Sequence, residues 1–238
     1  MDPWKLQPAR DLDLPTKQRW QSLRRESDLF ESGCHVLWAL GVRTYLKLWH
    51  RCEVAGREHL PLKPPFVLVG NHTSHLDALL LTAPLPLTIR DQVFALAAGD
   101  VFFEKALTAA FATTLINALP IWRKRTTAKA MVELRQRLTA EPCAYVLFPE
   151  GGRARDRQMM PFKPGIGMLL AETPVPVTPC WVEGAFDACP PGTTWPRPRK
   201  IRLRFGPPLQ FAETPNERAG WESIAATLQN AVQQLGAT

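Results

Sequence analysis

Phe66-Val67-Leu68-Val69-Gly70-Asn71-His72-Thr73-Ser74-His75-Leu76-Asp77-Ala78-Leu79-Leu80-Leu81 is an apolar run that breaks into a polar heptad and then resumes. The run Phe66–Val69 predicts a strand, the break a loop, and the resumption a helix beginning at about Ser74. His72 then falls in the loop and Asp77 in the first helical turn. A loop histidine and a first-turn carboxylate can meet, which gives an oriented general base of the kind that deprotonates an alcohol. The same residues also have a purely structural reading. Ser74-His75-Leu76-Asp77 has the Ser-x-x-acid spacing of a capping box, in which Asp77 satisfies backbone donors. Asn71 suits a turn and His75 an exposed helix face. Spacing alone leaves both readings open, and the strand-loop-helix context adds weight to function, because loops on a rigid scaffold commonly carry it.

On either side of this stretch the alternation continues. Strands are predicted at Phe66–Val69, Val93–Leu96, Ala118–Trp122, Ala144–Phe148 and Val175–Trp181, and helices at Leu76–Leu81, Val101–Ile116, Thr127–Leu138 and after Pro164. That pattern predicts a single α/β domain with a mostly parallel sheet flanked by helices. The run Leu107–Ile116 is apolar on nearly all sides, as in a buried helix or the wall of a lipid-tail channel. Lys200-Ile201-Arg202-Leu203-Arg204-Phe205 alternates with period two, the mark of a half-buried strand. Trp221, Ile224, Ala225, Leu228, Val232 and Leu235 recur at helical spacing and predict a closing amphipathic helix.

Upstream, residues 1–15 read as a polar, proline-punctuated tail and Thr16–Arg51 as one or two helices. The division expected is 1–58 for a tail and N-terminal amphipathic helical element, and 59–238 for the α/β domain. Arg43 and Lys47 interrupt the apolar residues between Leu37 and Trp49, so this stretch is too short and too charged to span a bilayer. Trp and Tyr beside Arg and Lys suit a helix at a membrane interface, and packing on the main domain suits the same pattern equally.

A chain of 238 residues with 45% hydrophobic and 21% charged residues can bury one substantial core. Its five cysteines are scattered and free of metal-like spacing, which fits reduced thiols in a cytosolic protein and predicts no metal centre. No short basic stretch followed by an apolar run opens the sequence, so no secretory signal is expected. The net charge of +7 is uneven. Ten basic residues face four acidic ones between Ile121 and Lys163, and Arg197, Arg199, Lys200, Arg202 and Arg204 form a cluster without an acidic neighbour in sequence. Phosphate-bearing small molecules, anionic lipid surfaces and nucleic acid are the partners such charge selects. Nucleic acid is disfavoured, because no aromatic residues interleave with the arginines in a recognisable module.

A second motif chooses the chemistry. The strand Tyr145-Val146-Leu147-Phe148 runs into Pro149-Glu150-Gly151-Gly152-Arg153-Ala154-Arg155-Asp156. Ligands of open α/β sheets bind beyond the carboxyl ends of strands. Two polar motifs there, one with a base and one with arginines, suggest an alcohol-bearing anionic substrate, since arginine pairs with phosphate bidentately.

With these residues in place, the chain resembles the glycerolipid acyltransferases, the family that includes bacterial 1-acylglycerol-3-phosphate acyltransferase. Their Asn-His-x-Ser-x-x-Asp block is met by Asn71, His72, Ser74 and Asp77, and their Pro-x-x-Arg ending by Pro120 to Arg123. Phe-Pro-Glu-Gly-Thr-Arg is matched at Phe148, Pro149, Glu150, Gly151 and Arg153, and Val-Pro-(Val/Ile)-x-Pro at Val175, Pro176, Val177 and Pro179. Four blocks in order cover roughly Phe66 to Trp181. The resemblance implies acyl transfer from acyl-CoA or acyl-carrier protein, used as co-substrate with no cofactor, to a lysophospholipid-type acceptor. It assigns His72 as general base and Asp77 as its orienting carboxylate, with Asn71 and Ser74 in support. Glu150, Gly151, Gly152 and Arg153 shape the acceptor site, Arg123 and Arg153 bind its phosphate, and Lys163 of Phe162-Lys163-Pro164-Gly165 lends support. It also implies a cytoplasmic protein held peripherally on an anionic membrane surface, the inner face of the cell membrane. Acylation of another lysolipid or an amino-acid lipid, and thioester hydrolysis, are the alternatives. Two departures touch acceptor recognition. Gly152 replaces the usual Thr, and Trp122 stands where an acidic residue often precedes the arginine.

Overall fold

Strand β2, Phe66–Gly70, is buried along its whole length and organises the molecule. Successive side chains of a strand point to opposite faces, and here both faces are covered. Phe66 and Leu68 enter one core with Val146, Cys180 and Leu203, and Val67 and Val69 enter a second with Tyr145, Leu147 and Val177. A continuous apolar run thus specifies a central strand between two helical layers.

The computed structural model describes residue 11 and residues 13–122, 128–193 and 195–237. Among these residues the other strands are β1 (Glu53–Ala55), β3 (Val93–Ala98), β4 (Ala118–Ile121), β5 (Ala144–Leu147), β6 (Val177–Glu183) and β7 (Arg202–Phe205). They form a seven-stranded sheet in the order β1-β7-β6-β2-β5-β3-β4. Every pairing is parallel except β6 with β7. The α/β architecture read from sequence is therefore the observed one.

Helices α1 (Thr16–Gln21) and α2 (Leu29–Leu48) precede the sheet, and α3 (Asp77–Thr82), α4 (Gly99–Phe102) and α5 (Ala106–Thr114) fall within its first half. After them come α6 (Ala128–Ala140), α7 (Gly165–Leu170), α8 (Ala185–Ala188) and α9 (Arg218–Ala237). One layer sets Val42 and Leu46 of α2 and Leu80 and Leu81 of α3 against the sheet. The opposite layer uses Leu134 and Leu138 of α6, Leu169 and Leu170 of α7, and Ile224, Leu228 and Val232 of α9. Asp28 caps α2, its carboxylate accepting from the backbone N–H of Glu31 at 2.8 Å.

Several expectations are corrected. The single helix expected over Val101–Ile116 is two, α4 and α5, because Phe103 turns into a small core with Ala109, Ala112 and Ala118. Strand β1 was not anticipated. Its three residues are too short to show a period, and it lies within residues 1–58, so the sheet begins before residue 59. The basic cluster at 197–204 does have acidic neighbours in space. Lys200 pairs with Glu53 at 2.6 Å, and Arg202 and Arg204 each reach Glu183 at 2.9 Å, because β7 lies between β1 and β6.

Candidate active site

Strands β2 and β5 are parallel neighbours, with Val69 level with Leu147. The segments that follow them, 71–76 and 148–164, therefore leave the sheet side by side. This adjacency brings the two polar motifs together, and three long-range tethers fix it. Asn71 behaves as an extra rung of sheet, its amide donating to the Val182 carbonyl at 3.0 Å and accepting from the Val182 N–H at 2.8 Å. Ala154 N–H donates to the His72 carbonyl at 2.8 Å. The carboxylate of Glu150 accepts from the backbone N–H groups of His72 at 2.6 Å and Met160 at 2.8 Å.

The His72 ring is held on two sides. Its Nδ1 lies 2.9 Å from Asp77 Oδ2, and its face stacks on Phe148 with centroids 4.2 Å apart and planes 15° apart. Oδ2 also accepts from the backbone N–H groups of Thr73 at 2.7 Å and Ser74 at 2.8 Å. Asp77 is fully buried and first in α3, where the helix dipole further favours its negative charge. Carboxylate contact at Nδ1 fixes the tautomer that carries its proton there, leaving Nε2 as a lone-pair acceptor. No described residue hydrogen-bonds Nε2, and His72 lines the cleft beside it.

The two readings of Asp77 resolve through this geometry. Its carboxylate does satisfy backbone donors, but these are loop N–H groups rather than the helix's own, and the same oxygen faces His72. Ser74 does not begin the helix. Leu76 occupies the N-cap with no side-chain cap, while the buried Ser74 hydroxyl donates to the Cys189 carbonyl at 2.8 Å and accepts from Leu76 N–H at 3.2 Å.

The cleft has a volume of about 380 Å³. Its lining combines the polar His72, His75, Arg153 and Lys163 with apolar residues, among them Ala95, Ala112, Ala118, Ile121, Ile166 and Leu169. Desolvation and the neighbouring Arg153 and His72 push His75 below the usual histidine range. Burial pushes Glu150 above the usual carboxylate range, against the pull of its two backbone donors. Gly151 has φ +72°, and a Cβ there would lie 2.4 Å from Lys163 Nζ, so a side chain would displace that ammonium from the cleft wall. At Gly152 a Cβ would meet only Met160 Cε, at 3.9 Å, an ordinary van der Waals contact, so no close approach of backbone requires the glycine. The Trp122 indole lies against Gly99, where a Cβ would sit 2.7 Å from Cδ2.

The structure thus gathers His72, Gly151, Gly152, Arg153 and Lys163 around one cleft, with Asp77 buried behind His72 and Asn71, Ser74 and Glu150 bracing the loops. Arg123 lies outside the described residues. Sequence reasoning missed the stacking role of Phe148 and the cleft position of His75, for which the only signal was their place within the motifs. Among the described residues no group of His, Cys, Asp and Glu is arranged to hold a metal ion.

A family model described as Acyltransferase matches residues 51–183, more than half of the chain. The 1-acyl-sn-glycerol-3-phosphate acyltransferase alpha of Mus musculus is 35% identical over 139 residues, covering 58% of this chain and 47% of the relative. Its Homo sapiens counterpart is 32% identical over 155 residues, covering 64% and 50%. The chain thus spans about half the length of these relatives. The crystal structure of the 1-acyl-sn-glycerophosphate (LPA) acyltransferase PlsC from Thermotoga maritima shares the fold. Its TM-score is 0.62 and its identity 21%, over 87% of this chain and 81% of that one.

Proposed function

Because the chain belongs to the Acyltransferase family, we propose that it moves an acyl group from a thioester to the free hydroxyl of a 1-acylglycerol-3-phosphate-type lysolipid. The observation that carries this reading is the buried Asp77 behind His72, a residue that lines a mainly apolar cleft together with Arg153 and Lys163. Nε2 takes the proton of the acceptor hydroxyl as its oxygen attacks the thioester carbonyl. The tetrahedral intermediate collapses by expelling the thiolate, which recovers the proton from His72. Asp77 stabilises the imidazolium between these steps, and Arg153 and Lys163 pair with the acceptor's phosphate. Glu150 acts through the backbone, holding His72 at its place in the loop. The apolar interior receives the acyl chain, delivered by acyl-CoA or acyl-carrier protein.

We also place the protein at an anionic membrane surface. Helix α2 buries His35, Ala39, Val42 and Leu46 and exposes Leu29, Phe30, Leu37 and Leu48 on other faces. Trp38 meets Phe111 of α5 edge to face at 5.8 Å, so Leu107 and Phe111 extend this apolar surface. No described helix is long and apolar enough to cross a membrane, and an apolar face on a half-packed helix suits an interfacial position.

A panel of lysolipids and amino-acid lipids offered with one labelled acyl-CoA, read by mass spectrometry, tests the reaction. The expected product is diacylated phosphatidate, with Arg153→Ala losing phosphate-bearing acceptors more than neutral ones. Free acid formed at the same rate without any acceptor would replace transfer by hydrolysis.

A further inference from the structure

Between β6 and β7 the chain passes through α8 and then through Trp195-Pro196-Arg197-Pro198-Arg199. Proline fixes its own φ and drives the residue before it into extended backbone, so the prolines that follow Trp195 and Arg197 stiffen both. The backbone here is pinned inwards at three points. Arg197 N–H donates to the Ala188 carbonyl at 2.7 Å, and Ile201 N–H donates to the His50 carbonyl at 3.1 Å. The Arg199 carbonyl lies 3.2 Å from Nδ1 of the buried His50, whose Nε2 lies 2.9 Å from the Tyr45 hydroxyl of α2. The segment is thus clamped to the carboxyl end of α2, and a stiff backbone presents its side chains to solvent. Trp195 is 83% exposed, and Arg197 and Arg199 are exposed beside it in sequence.

Tryptophan is a side chain suited to interfaces, apolar in its body and with an N–H for a polar layer. At the end of α2, Leu48 is 73% and Trp49 47% exposed, and the exposed Arg51 follows them. The charge around this end is one-sided. Glu53 and Glu183 are matched by Lys200, Arg202 and Arg204, and Asp187 by Arg157. Among the described residues no acid forms an ion pair with Arg51, Arg197 or Arg199. Exposed apolar side chains among unmatched arginines complement a surface that is anionic outside and apolar beneath. A purely acidic partner would match the arginines and leave the indole and Leu48 in water.

We infer that Trp195–Arg199 is a second foot of the protein on an anionic bilayer, with the indole seated among the headgroups and Arg197 and Arg199 on their phosphates. The inference rests on the membrane placement proposed for α2. It adds a contact tied to the reaction loop, because the Cys189 carbonyl, at the head of the same connection, accepts from the Ser74 hydroxyl at 2.8 Å. Docking at Trp195 therefore sets the height above the lipid of the loop that carries His72.

Vesicles of phosphatidylcholine with and without phosphatidylglycerol, brominated near the headgroup end of their acyl chains, quench an indole that enters the interface. Quenching that depends on Trp195, taken as the difference between the wild type and Trp195→Phe, should appear on the anionic vesicles. Trp195→Ser should weaken flotation with those vesicles by roughly tenfold. Arg197→Gln and Arg199→Gln should each weaken it by roughly fivefold, a loss that disappears on neutral vesicles or in high salt. Transfer to an acceptor embedded in vesicles should fall with binding in all three variants, while transfer to a short-chain acceptor dissolved as monomer stays at the wild-type rate. Flotation of the wild type without Trp195-dependent quenching would overturn the second foot and leave α2 as the contact. No flotation at all would overturn the foot and the membrane placement together. Variants that bind vesicles normally but lose rate only with an acidic acyl-carrier protein as donor would assign the surface to that protein and overturn the proposal. A wild type that transfers no acyl group refutes the acyl-transfer reading, and flotation and quenching then decide the foot on their own.

Discussion

Among the described residues, two histidine–aspartate pairs are alike in contact and opposite in setting. His72 Nδ1 lies 2.9 Å from Asp77, and His35 Nδ1 lies 2.6 Å from Asp91. In the first pair the carboxylate is fully buried and the histidine is 22% exposed; in the second the histidine is fully buried and the carboxylate is 38% exposed. His35 Nε2 also faces the Thr113 carbonyl at 3.2 Å, so both its nitrogens are spent tying α2 to α5 and the turn before β3. His72 has one nitrogen bound and one turned to the cleft. Proximity of the two side chains is therefore not what makes a base. On the proposed reading, His72 serves as a base because its partner is buried, where water cannot outcompete it, and its second nitrogen is left for substrate.

The largest separation between the pairs is expected on removing each imidazole. His72→Ala should lower transfer by roughly 10²–10⁴-fold, the usual share of a general base, with its melting temperature little changed. His35→Ala should instead cost about 1–3 kcal/mol of stability by stranding buried partners while the rate per folded molecule stays close to wild type. Steady-state rates and denaturant unfolding on the same samples measure both, and equal rate losses would erase the distinction. A smaller contrast should follow from the acids. Asp77→Asn keeps an acceptor for the loop N–H groups but loses the charge opposite the imidazolium, costing roughly 10²–10⁴-fold in kcat and no more than the loss of His72 itself. Asp91→Asn should shift stability by less than about 1 kcal/mol, being partly exposed.

A further contrast, in stability alone, concerns Glu150 and is read in pH. Burial raises its folded value above the unfolded one, so between those values the folded chain binds more protons than the unfolded chain. Its contribution to stability therefore falls as pH rises through that interval and is level above it. Glu150→Gln should remove this slope and strand one of two backbone N–H groups, costing about 1–2 kcal/mol. Thermal unfolding from about pH 4 to neutrality checks this, and parallel curves for the two proteins would break the assignment.

What was legible in the sequence was what is local. Strand β2 declares itself by an unbroken apolar run, and His72 and Asp77 are five residues apart, so their meeting could be expected even while spacing left the capping and catalytic readings both open. The partners that hold the site are remote: Val182 for Asn71, Cys189 for Ser74, and the backbone of His72 and Met160 for Glu150. No periodicity encodes such contacts, because they arise only when β2, β5 and β6 lie side by side. Glu150 could be recognised as belonging to the site but not as a brace for its loop. The break between α4 and α5 was hidden for a related reason. Phe103 is as apolar as its helical neighbours, and only the small core that receives it distinguishes its role.

The reversed direction of β7 has a further effect. Because β1 runs parallel to β7 and β7 antiparallel to β6, Glu53 at the start of β1 is level with Arg202, which is level with Glu183 at the end of β6. The carboxyl end of α2, with Leu48 and Trp49 exposed, is thus delivered to the same rim of the sheet from which the 71–77 loop departs. On the proposed reading, a surface that captures this end of α2 captures the rim of the cleft with it, and the search for a lipid acceptor would become a search in two dimensions.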